Sequence, residues 1–128
     1  MNTWLFREYI SPTGRRPLLD WYRSLSKQAQ ADFDELIRIL EKTREWREPA
    51  FKRLQGKKYK GLGELRWKTV GVQYRVIGMN GPRSGEYTLF IGCTHKGSVY
   101  KPPDALETAV KRMRSLQEGK GSTCEHEI

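Results

Sequence analysis

Arg66 and Arg75 are the two residues whose spacing most directly suggests chemistry. They stand in two alternating segments, Glu64 to Thr69 and Val72 to Gly78, separated by Val70-Gly71. If Val70 and Gly71 are the two residues of a hairpin loop, Thr69 pairs with Val72. Counting outward sets Lys68 against Gln73, Trp67 against Tyr74 and Arg66 against Arg75. Trp67 and Tyr74 then form an aromatic pair on the core side. The two guanidinium groups lie opposite one another on the exposed face, with Lys68 beside them. Like charges directly opposed destabilise a sheet, and a bound anion relieves that cost. Phosphate suits the role because guanidinium donors match its oxygens. A solvent-screened pair, splayed apart, is the alternative reading.

A second cluster is Thr94-His95-Lys96-Gly97-Ser98-Val99-Tyr100-Lys101. It follows an apolar run, Tyr87 to Cys93, and so sits at the end of that strand. His95 and Tyr100 offer an imidazole and a phenol beside the basic patch. RNA strand cleavage needs the 2′-hydroxyl deprotonated, the phosphorane stabilised and the leaving 5′-oxygen protonated. Arginines serve the second need, and His95 or Tyr100 the first or third. No cofactor is called for. Cys93, Cys124, His95 and His126 lack metal-ligand spacing, so no metal site is expected. Two cysteines in unlike surroundings give no disulfide framework.

The charge distribution points the same way. The chain carries a net charge of +9. Between Lys52 and Lys101 there are eleven bases against two acids, Glu64 and Glu86, so this segment holds the whole excess. Its lysines include Lys57, Lys58, Lys60, Lys68 and Lys101, interleaved with Tyr59, Trp67, Tyr74 and Tyr100. A concentrated positive field attracts polyanions, and aromatic faces stack on bases. A solvated basic surface is the alternative, but the interleaved aromatics favour nucleic acid.

These residues need a scaffold, and 128 residues suit one domain. Trp4 to Ile10 reads as a strand, with a turn at Ser11-Pro12-Thr13-Gly14. Pro17 can open a helix over Leu18 to Leu25. Ser26 can cap a second helix running to about Trp46, with Ala29, Phe33, Leu36, Ile37 and Leu40 as its core stripe. A polar connector follows, with one helical turn at Ala50 to Leu54 and a mobile basic loop around Lys57, Lys58 and Lys60. Then come three strands. Asp104 and Glu107 form a capping box for a last helix. The expected domain covers 1–118, and 119–128 read as a disordered polar tail. The expected fold is α+β: an N-terminal strand, an αα-hairpin, an antiparallel sheet of about four strands and a C-terminal helix, with helices on one face. Nothing reads as a signal peptide or membrane span, so a soluble cytoplasmic protein with no membrane partner is expected.

Gly63-Glu64-Leu65-Arg66 followed by Gln73-Tyr74-Arg75-Val76-Ile77 resembles the paired strands of RelE/HigB-type toxins, particularly the phage-derived HigB-like group. The resemblance continues through the apolar strand into His95–Tyr100, then a proline and a helix containing Ala109-Val110-Lys111-Arg112. It spans about Trp4 to Leu116. It implies a RelE-like fold and a metal-independent endoribonuclease, an mRNA interferase acting on mRNA at the ribosome. It also implies silencing by a cognate antitoxin, often a helix-turn-helix protein. The catalytic roles it implies fall on Arg66, Lys68, Arg75, Lys96 or His95, and Tyr100. Two other readings stay open. One is a ParE-like, non-catalytic inhibitor of a protein target such as gyrase. The other is a phage-derived nucleic-acid-binding module.

Overall fold

The computed structural model describes residues 2–127. Over these described residues the fold is α+β, with three α-helices and a mixed seven-stranded sheet. The strands are β1 (Leu5–Ile10), β2 (Phe51–Arg53), β3 (Leu62–Thr69), β4 (Val72–Asn80), β5 (Glu86–Lys96), β6 (Val99–Lys101) and β7 (Ser122–Glu125). They run in the order β2-β3-β4-β5-β1-β7, with β6 paired to β5. The sheet is therefore larger than the four strands expected. It is mixed because β1 runs parallel to β5. The expected disordered tail, 119–128, instead holds a strand: β7 pairs antiparallel with β1, and Ile128 lies outside the described residues.

Two helices cover one face. Helix α1 (Pro17–Ser24) opens on its proline, and α2 (Lys27–Lys42) is capped by Ser26, whose side chain accepts a hydrogen bond from Ala29 N at 3.1 Å. Helix α2 ends four residues before Trp46. That indole folds back, and its N–H donates to the Leu40 and Thr43 carbonyls at the helix end. Phe33, Ile37 and Leu40 pack there with Leu18, Leu65, Val76 and Leu89. Trp21 of α1 lies flat on Gly92 of β5, where an added Cβ would meet the indole at 2.1 Å.

The third helix, α3 (Ala105–Gln117), lies on the opposite face of the sheet. It packs Ala105, Ala109 and Val110 against Ile77, Ile91 and Cys93. Helices thus cover both faces rather than one. Consecutive residues Val76 and Ile77 point to opposite faces, and both are fully buried. The register of β4 on β5 slips at Ile77/Gly78, and Arg112 Nη1 takes up the Phe90 carbonyl there at 2.7 Å. The Asp104 side chain makes no capping hydrogen bond, so the expected capping box does not form. The helical turn expected at Ala50 to Leu54 is strand β2, because Phe51 completes the first core by pairing with Leu65.

Candidate functional site

The expected register of β3 and β4 is observed. Thr69 pairs with Val72, Lys68 with Gln73, Trp67 with Tyr74 and Arg66 with Arg75. Trp67 and Tyr74 stack with centroids 5.2 Å apart and planes at 13°. Strand β5 extends the same face, setting Gln73 against His95 and Arg75 against Cys93. Strand β6 sets Tyr100 against His95. Arg66, Arg75, His95 and Tyr100, separated by up to 34 positions in sequence, therefore share one face of the sheet.

The exposed pair expected of the two arginines is not what forms. Arg75 is buried, at 8% exposure, and the anion between the guanidinium groups comes from the protein itself. Glu64, at 1% exposure, lies two residues from Arg66 on the same face. Its Oε1 accepts from Arg66 Nε at 2.8 Å and Nη2 at 2.6 Å. The same oxygen lies 3.7 Å from Arg75 Nε. Its Oε2 accepts from the Tyr100 hydroxyl at 2.7 Å. Arg75 donates further to the Tyr74 carbonyl and to Gln73 Oε1, both at 3.0 Å. Burial is the chief reason its pKa is lowered, opposed by the Glu64 charge. The like-charge cost that an external phosphate was expected to relieve is met internally. Glu64 was the residue missed. Its signal lay in the register: it stands opposite Ile77, in a row that α3 covers.

Arg66 is the more open arginine, with 23% of its side chain exposed and a second, looser pairing to exposed Glu48 at 3.7 Å. Arg66, Lys68, Gln73 and Arg75 line an open cleft of about 380 Å³. Another cleft, of about 570 Å³, is lined mainly by Val72, Thr94, Lys96, Val99 and Lys101, which leave the sheet on the face opposite Arg66. Gln73 lines both clefts, and it and His95 are the members of the larger one that lie on the Arg66 face. Lys96 and Lys101 alternate with His95 and Tyr100 along their strands and so leave the sheet on its other side, away from Arg66 and Arg75.

His95 holds its ring edge-on to Tyr100, centroids 4.8 Å apart. Its pKa is lowered, first by desolvation and then by the Arg75 charge, which favours neutral imidazole. Its Nδ1 is buried and makes no hydrogen bond within the protein, and the same holds for Arg75 Nε. Burial and the Glu64 carboxylate push the Tyr100 phenol far above its ordinary value, so it is held as a protonated donor. Cys93, beneath the site, is pushed up to about 12 by burial, as suits a core residue.

The lysines of the basic loop lie elsewhere. Lys57, Lys58 and Tyr59 form one 3-10 turn, and Lys57, Lys58 and Lys60 are exposed. The Tyr59 hydroxyl donates to Glu107 Oε1 of α3 at 3.2 Å, and Lys58 Nζ lies 3.5 Å from the same oxygen. These contacts pin the loop expected to be mobile. None of its three lysines lines the clefts of Arg66 and His95.

No helix among the described residues is long and apolar enough to cross a membrane. Compared with family models, curated proteins and solved structures, the chain matches none.

Proposed function

We propose that this chain is a RelE/HigB-like toxin that cleaves RNA without a metal, acting on mRNA at the ribosome and silenced by a small antitoxin, a helix-turn-helix protein in the family it resembles. One observation carries the reading: a Glu64-braced Arg66–Arg75 pair, with His95 on the same face of the sheet, opens onto a cleft lined by Lys68 and Gln73. His95 accepts the 2′-hydroxyl proton. The 2′-oxygen then attacks phosphorus, and the P–O5′ bond breaks to leave a 2′,3′-cyclic phosphate. The 5′-oxygen takes a proton from a lysine ammonium or from solvent. Arg66 and Lys68 hold the charge that builds on the phosphate. Arg75 and Tyr100 act one step back, positioning Glu64 and through it Arg66.

The test is cleavage of ribosome-bound mRNA by the purified protein in the presence of chelator, parent against Arg66→Ala. Removing one preorganised donor costs roughly 100- to 1,000-fold in rate. A folded Arg66→Ala protein cutting at the parental rate would overturn the catalytic reading. Lys57, Lys58 and Lys60 face polyanions from outside the clefts. Replacing all three with Ala should flatten the salt dependence of RNA binding and leave the saturated rate near normal.

One observation favours a second reading. Glu64 already accepts from Arg66 Nε and Nη2, so the like charges are compensated without a phosphate. A ParE-like inhibitor of a protein target, or a nucleic-acid-binding module, would need no more than that.

A further inference from the structure

We propose that the cleft between Trp4, Trp46 and Arg53 is a second nucleotide subsite, taking a base of single-stranded RNA that continues from the Arg66 cleft. The proposal rests on the RNA-cleaving reading and extends its substrate to a strand longer than the one at the scissile phosphate.

The cleft holds about 340 Å³ and is lined by Trp4, Trp46, Arg44, Arg53 and Asn80, among others. The two indoles stand 4.7 Å apart at 42°, forming a wedge rather than a closed stack. Both rings are fixed from behind. Trp4 Nε1 donates to the Arg44 carbonyl at 3.2 Å, and Trp46 Nε1 donates to the end of α2. Trp46 also stacks on Phe6, with centroids 5.3 Å apart. Neither tryptophan is fully buried. A fixed aromatic wall gives a planar ligand a surface to stack on with little ordering cost. Arg44 and Arg53 are exposed on either side, and Asn80 supplies both a donor and an acceptor for a base edge. Planar aromatic surface, amide and guanidinium together describe a nucleotide.

The path to the cleavage site runs along the segment from Trp46 to Arg53. A second cleft, of about 300 Å³, shares Trp46, Phe51 and Arg53 with the first and adds Arg47 and Lys52. Glu48 lines this second cleft and contacts Arg66, while Pro49, the next residue, lines the Arg66 cleft. The path rounds the free edge of β2, where Lys52 and Arg53 point to opposite faces of the sheet. Arg53 pairs with Gly63, three residues from Arg66 along β3. That is roughly 10 Å along the strand, a gap that a few nucleotides bridge.

The experiment measures binding of two labelled, non-cleavable 2′-O-methyl RNAs, of about 4 and about 12 nucleotides, within the range of single-strand site sizes. The parent should prefer the longer RNA. Trp4→Leu, which keeps an uncharged apolar side chain and removes the indole face, should reduce that preference roughly 5- to 150-fold, the worth of one stacked base. Arg53→Glu, at an exposed position on the edge strand β2, should act in the same direction. Arg66→Ala should weaken both RNAs alike. If both Trp4→Leu and Arg53→Glu keep the full preference for the longer RNA, the subsite is wrong. If the parent binds neither RNA, the subsite and the RNA reading fall together. If the parent shows the length preference, loses it in both variants and cuts no RNA, the subsite stands and catalysis falls.

Discussion

The Tyr100 hydroxyl donates to Glu64 Oε2 at 2.7 Å, joining β6 to β3 across the two strands between them. This bond crosses over Arg75 and Cys93, which pair directly below it. It closes a network in which one carboxylate serves two guanidinium groups and a phenol. Breaking it anywhere should be felt first as lost stability, because Glu64 and Arg75 are both buried.

Glu64→Gln keeps the volume but removes the charge between Arg66 and Arg75. It should lower the unfolding free energy by about 3 kcal/mol, as when a buried ion pair loses one partner. Tyr100→Phe should cost less, about 1–2 kcal/mol, by leaving Glu64 Oε2 short of a donor. Urea unfolding measures both. A change below about 0.5 kcal/mol for Glu64→Gln, the size of an ordinary surface effect, would mean the pair is held by solvent instead.

His95 should set the acid limb of the cleavage profile. Desolvation and Arg75 lower its pKa, so the neutral, proton-accepting form persists below the ordinary imidazole value of about 6.5. As pH falls through the lowered value, His95 gains a proton and the rate should drop. His95→Ala should remove that limb and cut the rate roughly 100- to 10,000-fold. An acid limb unchanged in His95→Ala would assign the base elsewhere.

The C-terminal strand should be needed for stability. His126 Nδ1 lies 2.6 Å from Glu8 Oε2, both side chains are buried, and Arg16 approaches the same carboxylate oxygen at 3.2 Å. Ending the chain at Gly121 removes β7 and His126 and bares the edge of β1. About 3 kcal/mol or more should be lost, and the exposed edge should promote association. Urea unfolding and light scattering would record these two effects. A truncated protein as stable and monodisperse as the parent would show β7 to be dispensable.

Val70 offers the opposite test. It is 91% exposed and holds φ at +46°, with Gly71 at +81°, the two positive angles of a tight hairpin turn. A β-branched residue is strained there, whereas asparagine tolerates the left-handed region. Val70→Asn should therefore raise stability by about 1 kcal/mol. Equal or lower stability in thermal unfolding would argue that the turn relaxes in solution.

Local pattern in the sequence determined a good deal. The alternation around Val70-Gly71 set the β3–β4 register and with it the Arg66–Arg75 pair. Pro17 and Ser26 marked the starts of α1 and α2, because each acts on its own first turn. His95 and Tyr100 came together through a short strand return, which is also local. Long-range packing decided the rest. Whether Arg75 faced water or a carboxylate depended on Glu64, and Glu64 was buried only because α3 returned to that face. The strand at Ser122–Glu125 carries no apolar alternation. It forms because β1 has a free edge to pair with and a buried Glu8 for His126 to meet. Periodicity reports which way a side chain leaves its own strand. Only the tertiary structure decides what lies above it, because burial and charge compensation come from residues distant in sequence.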